Sequence, residues 1–144
     1  MLYAKVSNSN VRRFPREKRN QLFHNPYIDM SNETLPVIQS SYTLYKQTAD
    51  IVTHLQKQWR YSIGEKIEHS ILDLMHNLIM AKNAPKPLKI PYLLKASAHN
   101  ECASMQLRLL LELNLVNETK VFQAQRVIGE IGRMLGGWIK SIPS

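Results

Sequence analysis

From Leu35 onward, apolar residues recur at three- and four-residue intervals in four blocks, the period of an α-helix. The first block, Ile38, Tyr42, Tyr45, Ala49, Val52 and Leu55, predicts a helix from about Leu35 to Gln58. Pro36 falls in its first turn, where a missing N–H is harmless, and Asn32 or Thr34 is placed to cap it. Trp59, Arg60 and Tyr61 read as a link. Ser62 followed by Glu65 is a capping-box spacing, which predicts a second helix running to about Asn83. That helix carries the stripe Ile63, Ile67, Ile71, Leu74, Leu78 and Ala81, and beside it a second stripe, Leu72, Met75 and Ile79. One bundle core needs only one such stripe, so the other is expected to face a second subunit. APKPLKIP (84–91) reads as a loop because three prolines interrupt it. A third helix is expected from about Pro91 to Leu115, with Leu94, Ala98, Cys102, Met105, Leu109 and Leu113 facing the core. Asn117 can cap a fourth helix, which continues through Val121, Ala124 and Ile128.

The fourth helix ends on EIGRMLGGWIKS (130–141), whose pattern points two ways. Ile128, Ile131, Leu135, Trp138 and Ile142 keep the helical period. Gly129, Gly132, Gly136 and Gly137 lie among them, each costing about 1 kcal/mol against Ala in a helix interior. Close approach of a neighbouring helix is the expected return for that cost, with a glycine-built ligand site as the alternative.

Four helices of about 20 residues, each about 30 Å long, joined by short links, predict an all-α, up-down-up-down four-helix bundle over residues 34–144. No strand-like alternation competes with it. Residues 1–33 differ in kind: VRRFPREKR (11–19) is a basic run, Asn25-Pro26 is a turn signal, and apolar periodicity is absent. They are expected to form a basic, flexible N-terminal arm, or an extension upstream of Met30.

Composition narrows the class. The 144 residues suit one domain of modest core. No stretch approaches the ~18 apolar residues that span a bilayer, and no secretory leader is visible. Cys102 is the single cysteine, which excludes an intramolecular disulfide and fits a reducing, cytoplasmic setting. The net charge of +8 favours acidic partners, nucleic acid first.

Catalytic and metal-binding patterns do not assemble. His69 and His76 stand seven residues apart with Glu68 and Asp73 nearby, yet neither HExxH nor the Glu-x-x-His pairing of di-iron bundles occurs. No phosphate-cradling glycine loop or nucleophile elbow is present. Cys102, set among Ala98 and Met105, reads as a buried structural thiol. No catalytic residue, metal or cofactor is therefore assigned. The cations offer the better lead. Arg60 and Lys66 flank the first link, while Lys82, Lys86, Lys89 and Lys95 surround the proline loop. They suit sequence-independent phosphate contact; solvated surface lysines are the alternative. Tyr92 alone interleaves with them, so base stacking is not indicated.

LPVIQSSYTLYK (35–46), RYSIGEKIEHSILDLM (60–75), KASA (95–98), LRLLLELNLV (107–116) and the closing motif together resemble the Avd-like (accessory variability determinant) four-helix-bundle proteins of diversity-generating retroelements. The resemblance implies a non-catalytic protein that forms homopentamers, has a basic surface, and binds RNA or DNA and the element's reverse transcriptase. It would thereby support mutagenic cDNA synthesis and retrohoming. It implies further that Arg60, Arg108, Arg133 and Lys140, with Lys95, occupy family-typical basic positions. The chain departs from the family where a Phe-Pro-basic segment often precedes the Arg-Tyr pair; here Leu55 to Trp59 stand instead. A bundle of the kind encoded in ribosomal-RNA intervening sequences, or a stand-alone interaction scaffold, is the alternative.

Overall fold

The computed structural model describes residues 35–143. These form four long helices: α1 (Pro36–Thr53), α2 (Glu65–Asn83), α3 (Lys86–Glu112) and α4 (Glu118–Ser141). The arm expected over residues 1–33 lies outside the described residues, as do Asn32 and Thr34, proposed as caps. α1 begins on Leu35 as N-cap with Pro36 in the first turn. Asn117 caps α4 as expected, its Oδ1 accepting the Thr119 N–H at 2.9 Å.

Each helix packs on its neighbours in sequence, and α4 returns to pack on α1. Polar rungs set the register. Ser70 Oγ donates to Gln106 Oε1 at 2.9 Å between α2 and α3. Asn100 Nδ2 donates to the Ile128 carbonyl at 3.1 Å between α3 and α4. Lys120 Nζ meets Asp50 Oδ2 at 2.7 Å between α4 and α1. The α1–α2 and α3–α4 links share one end, here the upper end. The α2–α3 link, the start of α1 and the finish of α4 share the lower end. The core between the helices is largely apolar, built on residues such as Leu44, Ile71, Leu74, Leu107, Ile131 and Leu135, all buried. The stripe predicted for α2 is the one that faces it.

Four expectations are corrected. First, α1 stops at Thr53, and the predicted link is itself helical. An α turn, Lys57–Trp59, and a π turn, Arg60–Gly64, run directly into α2. Ser62 caps nothing; its hydroxyl donates back to the Gln58 carbonyl at 2.7 Å. Gly64 explains the widened turn. A Cβ there would stand 2.9 Å from Val52 Cγ1 and 3.2 Å from the Trp59 carbonyl oxygen, so only glycine lets the turn press against α1.

Second, α3 starts at Lys86, not Pro91, and the link shrinks to Ala84 and Pro85. Pro85 is the extended N-cap and Pro87 sits in the first turn, where its missing N–H has no partner to lose. Pro91 lies inside the helix and removes only the bond to the Pro87 carbonyl, at a place where both prolines are exposed. Lys89 pins the new turn to α2: its Nζ donates to the carbonyls of Ala81 at 2.7 Å and Lys82 at 3.0 Å.

Third, the α3 core face is Leu93, Ala96, Asn100, Ala103, Leu107 and Leu110. The predicted face points outward: Leu94 is 56% exposed and Met105 71%, and the Cys102 thiol, expected buried, is exposed. Tyr42 of the predicted α1 stripe is exposed as well.

Fourth, the closing glycines do not admit a neighbouring helix within the bundle. A Cβ on Gly129, Gly136 or Gly137 would meet nothing within 4 Å, and one on Gly132 only Asn100 Nδ2 at 3.7 Å. The apolar residues between them behave as expected, with Ile128, Ile131 and Leu135 buried and Trp138 packed against the core.

Candidate nucleic-acid interface

The nine candidate cations separate into two groups along the bundle axis. Arg60, Lys66 and Arg108 belong to the upper half; Lys82, Lys86, Lys89, Lys95, Arg133 and Lys140 belong to the lower. The folding of the links decides how many remain open to a partner. Arg60 turns back on α1, its Nη2 donating to the carbonyls of Thr53 and Leu55, each at 3.2 Å. Thr53 closes α1 and Leu55 lies just beyond it, and neither carbonyl has a helical partner, so this guanidinium caps the C-terminal end of α1. Lys89 does the same for α2. Arg108 pairs with Glu112 one turn on, at 3.0 Å. Lys95 holds its ammonium over the Tyr92 ring, 5.7 Å from the centroid, which leaves the charge at the surface. Lys66, Lys86, Arg133 and Lys140 are exposed.

The upper end carries the ion-pair chemistry. Asp50 receives Lys120 Nζ at 2.7 Å and lies 3.7 Å from His54 Nδ1. The hydrogen bond from Lys120 holds the Asp50 carboxyl below its ordinary value, with the Lys120 and His54 charges adding to it and desolvation opposing it. A carboxyl lowered in the folded state stabilises above the unfolded pKa, about 3.9. That contribution disappears as pH falls through the lowered folded value. Thermal melts between pH 6 and pH 2 should therefore show Asp50→Asn losing less Tm on acidification than the unmodified chain.

A groove of about 410 Å³ opens beside this pair, lined by Ile51, His54, Asn114 to Asn117 and Lys120. Asn114 turns the chain there with φ 54°, a left-handed conformation that asparagine tolerates. The cation of the groove is already engaged by Asp50. Among the described residues, no group of three or more His, Cys, Asp and Glu is arranged to hold a metal ion. No described helix is long and apolar enough to cross a membrane.

The surface that sequence reasoning missed is the outer face of α3. Leu94, Met105, Leu109 and Leu113 lie along it, all exposed. The signal was present, because α3 carries a second helical-period series from Leu93 to Leu110, and only one series can face the core.

The pattern of the bAvd-like family matches residues 35–142, which takes in all four helices and the links between them. The chain belongs to the bAvd-like family. Among curated proteins, none matches it significantly. The family assignment makes this an Avd-like accessory protein, and the cations and outer apolar faces described above are features of a bAvd-like bundle.

Proposed function

We propose that this bAvd-like chain is a non-catalytic accessory protein of a diversity-generating retroelement. It binds nucleic acid and the element's reverse transcriptase in the cytoplasm, assembles as a homopentamer, and supports mutagenic cDNA synthesis and retrohoming. The observation that carries the reading is the family match over the whole bundle. Two features of the surface support it. Exposed cations on a net-positive bundle suit phosphate contact without base readout. The outer faces of α2 and α3 expose Leu72, Ile79, Leu94, Met105 and Leu109 in rows, more apolar surface than an isolated bundle needs.

Co-expression with a reverse transcriptase found encoded next to this chain's gene tests the reading. A complex of fixed stoichiometry that survives purification is expected. If no reverse-transcriptase gene neighbours this one, the retroelement assignment fails and the interaction-scaffold reading takes its place.

A further inference from the structure

A plane through the Asn100–Ile128 rung crosses α2 near His76 and α1 near Tyr42, counting along antiparallel helices from the three rungs. Residues 35–143 hold thirteen basic and eight acidic residues. Above the plane, seven of each cancel. Below it stand Lys82, Lys86, Lys89, Lys95, Arg133 and Lys140 against Glu130 alone. The whole net charge of the bundle, +5, therefore belongs to its lower half. Counting Glu101, one residue above the plane, with the lower half still leaves that half at +4.

The asymmetry has a local cause. An antiparallel bundle presents two helix N-termini and two C-termini at each end, so the backbone dipoles nearly cancel there, and side chains decide the sign. At the upper end the N-termini of α2 and α4 carry Glu65, Glu68 and Glu118. At the lower end the N-termini of α1 and α3 carry no acidic residue in their first turns. The C-termini of α2 and α4 add Lys82 and Lys140 there. The ion pairs Asp50–Lys120 and Arg108–Glu112 both lie in the upper half. Lys86, Arg133 and Lys140 have no carboxylate within ion-pair distance among the described residues.

We infer that the lower end of the bundle is the surface that takes the phosphate backbone of nucleic acid, with Lys86, Arg133 and Lys140 as contacts, and that the charge-balanced upper end does not. The inference rests on the nucleic-acid reading proposed above and deepens it by assigning that role to one end. Lys86 sits at the start of α3, and Arg133 and Lys140 are two turns apart on α4, about 10 Å along the axis. This is a belt around an end, not a groove for one strand. Tyr92 is covered by Lys95, and Trp138 packs on the core and lines an apolar groove with Leu35, Val37 and Met134, so no exposed aromatic interleaves with these cations. Binding should depend on phosphate charge and little on sequence.

The experiment compares two full-length triple variants that remove the same charge from exposed positions. One is Lys86→Gln/Arg133→Gln/Lys140→Gln. The other is Lys46→Gln/Lys57→Gln/Arg126→Gln in the upper half. Affinity for a mixed-sequence RNA oligonucleotide, and for the same sequence as DNA, is read by anisotropy across a salt series. Circular dichroism checks that each variant keeps its helices. The lower-end variant should bind at least about tenfold more weakly at moderate salt, with the log–log salt slope reduced by about 2 to 3. The upper-end variant should stay within about threefold. Equal losses in both variants, or no loss in the lower one while the unmodified chain binds, would overturn the assignment and leave nucleic-acid binding itself standing. Failure of the unmodified chain to bind either oligonucleotide would remove both. Loss of binding to phosphatidylglycerol vesicles with RNA affinity kept would assign this end to a membrane surface instead.

Discussion

Gly64→Leu is expected to destabilise the bundle by about 3 kcal/mol, the upper end of the usual penalty for overpacking. The added Cβ would begin 2.9 Å from Val52 Cγ1, 3.2 Å from the Trp59 carbonyl oxygen and 3.3 Å from Leu55 Cδ1. Val52 and Leu55 are themselves buried, so they have little room to yield. The Trp59 oxygen is backbone in the turn that Arg60 and Gly64 shape, so relieving that contact means rewinding the entry to α2. The remaining atoms of leucine would then need space inside the α1–α2 seam. Gly136→Ala makes the contrast, since its Cβ meets nothing within 4 Å. It should stabilise by up to about 1 kcal/mol through helix propensity alone, if the surface is solvated. Urea melts of both variants provide the check. A Gly64→Leu midpoint equal to that of the unmodified chain would show that the α1–α2 seam is looser than the structure has it. A destabilised Gly136→Ala would show that a partner copy covers that surface.

The second large effect concerns assembly. Met105→Glu/Leu109→Glu should convert the proposed homopentamer to monomers with little change in helix content. Both side chains are exposed in the protomer, at 71% and 42%, so a carboxylate at either position costs the isolated bundle little. In an interface the same carboxylates would lose their water without gaining a partner, a cost of several kcal/mol for each copy of the contact. Arg108 and Glu112 flank the two positions and already pair with each other, so neither is released to neutralise the new charge without breaking that pair. Light scattering at micromolar concentration reads the result. An unchanged oligomer mass would place the subunit contact on another face, with the α2 row of Leu72 and Ile79 next to be tested.

Legibility followed the uniqueness of the pattern. α2 has one long continuous stripe, and of the residues predicted for it Ile67, Ile71, Leu74, Leu78 and Ala81 are buried, with Ile63 half-buried in the π turn before the helix. Asn117 was readable because a capping side chain acts within three residues of itself. α3 was misread because both of its apolar series have helical period, and nothing local says which one meets α2 and α4. Cys102 was misplaced along with that face. The prolines misled for a related reason: Pro85, Pro87 and Pro91 discourage a helix one residue at a time. The Lys89 contacts to α2, eight and seven residues back, favour the helix and are tertiary. Gly64 was overlooked beside four more conspicuous glycines, since its need arises from Val52 across a seam, not from neighbours in sequence. Among the cations, charge could be counted from the sequence, but Arg60 and Lys89 could not be known to be occupied by carbonyls.

The topology also decides where the molecule can be instrumented. α1 begins and α4 finishes at the same end, where Leu35, Pro36 and Val37 meet Met134 and Trp138 around one groove of about 330 Å³. A purification tag or fluorophore appended beyond Ile142 therefore emerges beside the cations. If the lower end takes nucleic acid as inferred above, an acidic tag there would act as a tethered competitor of the very ligand under assay, and a polyhistidine tag would add affinity of its own. A label in the turn at Asn114, at the balanced end, would then report on binding without taking part in it.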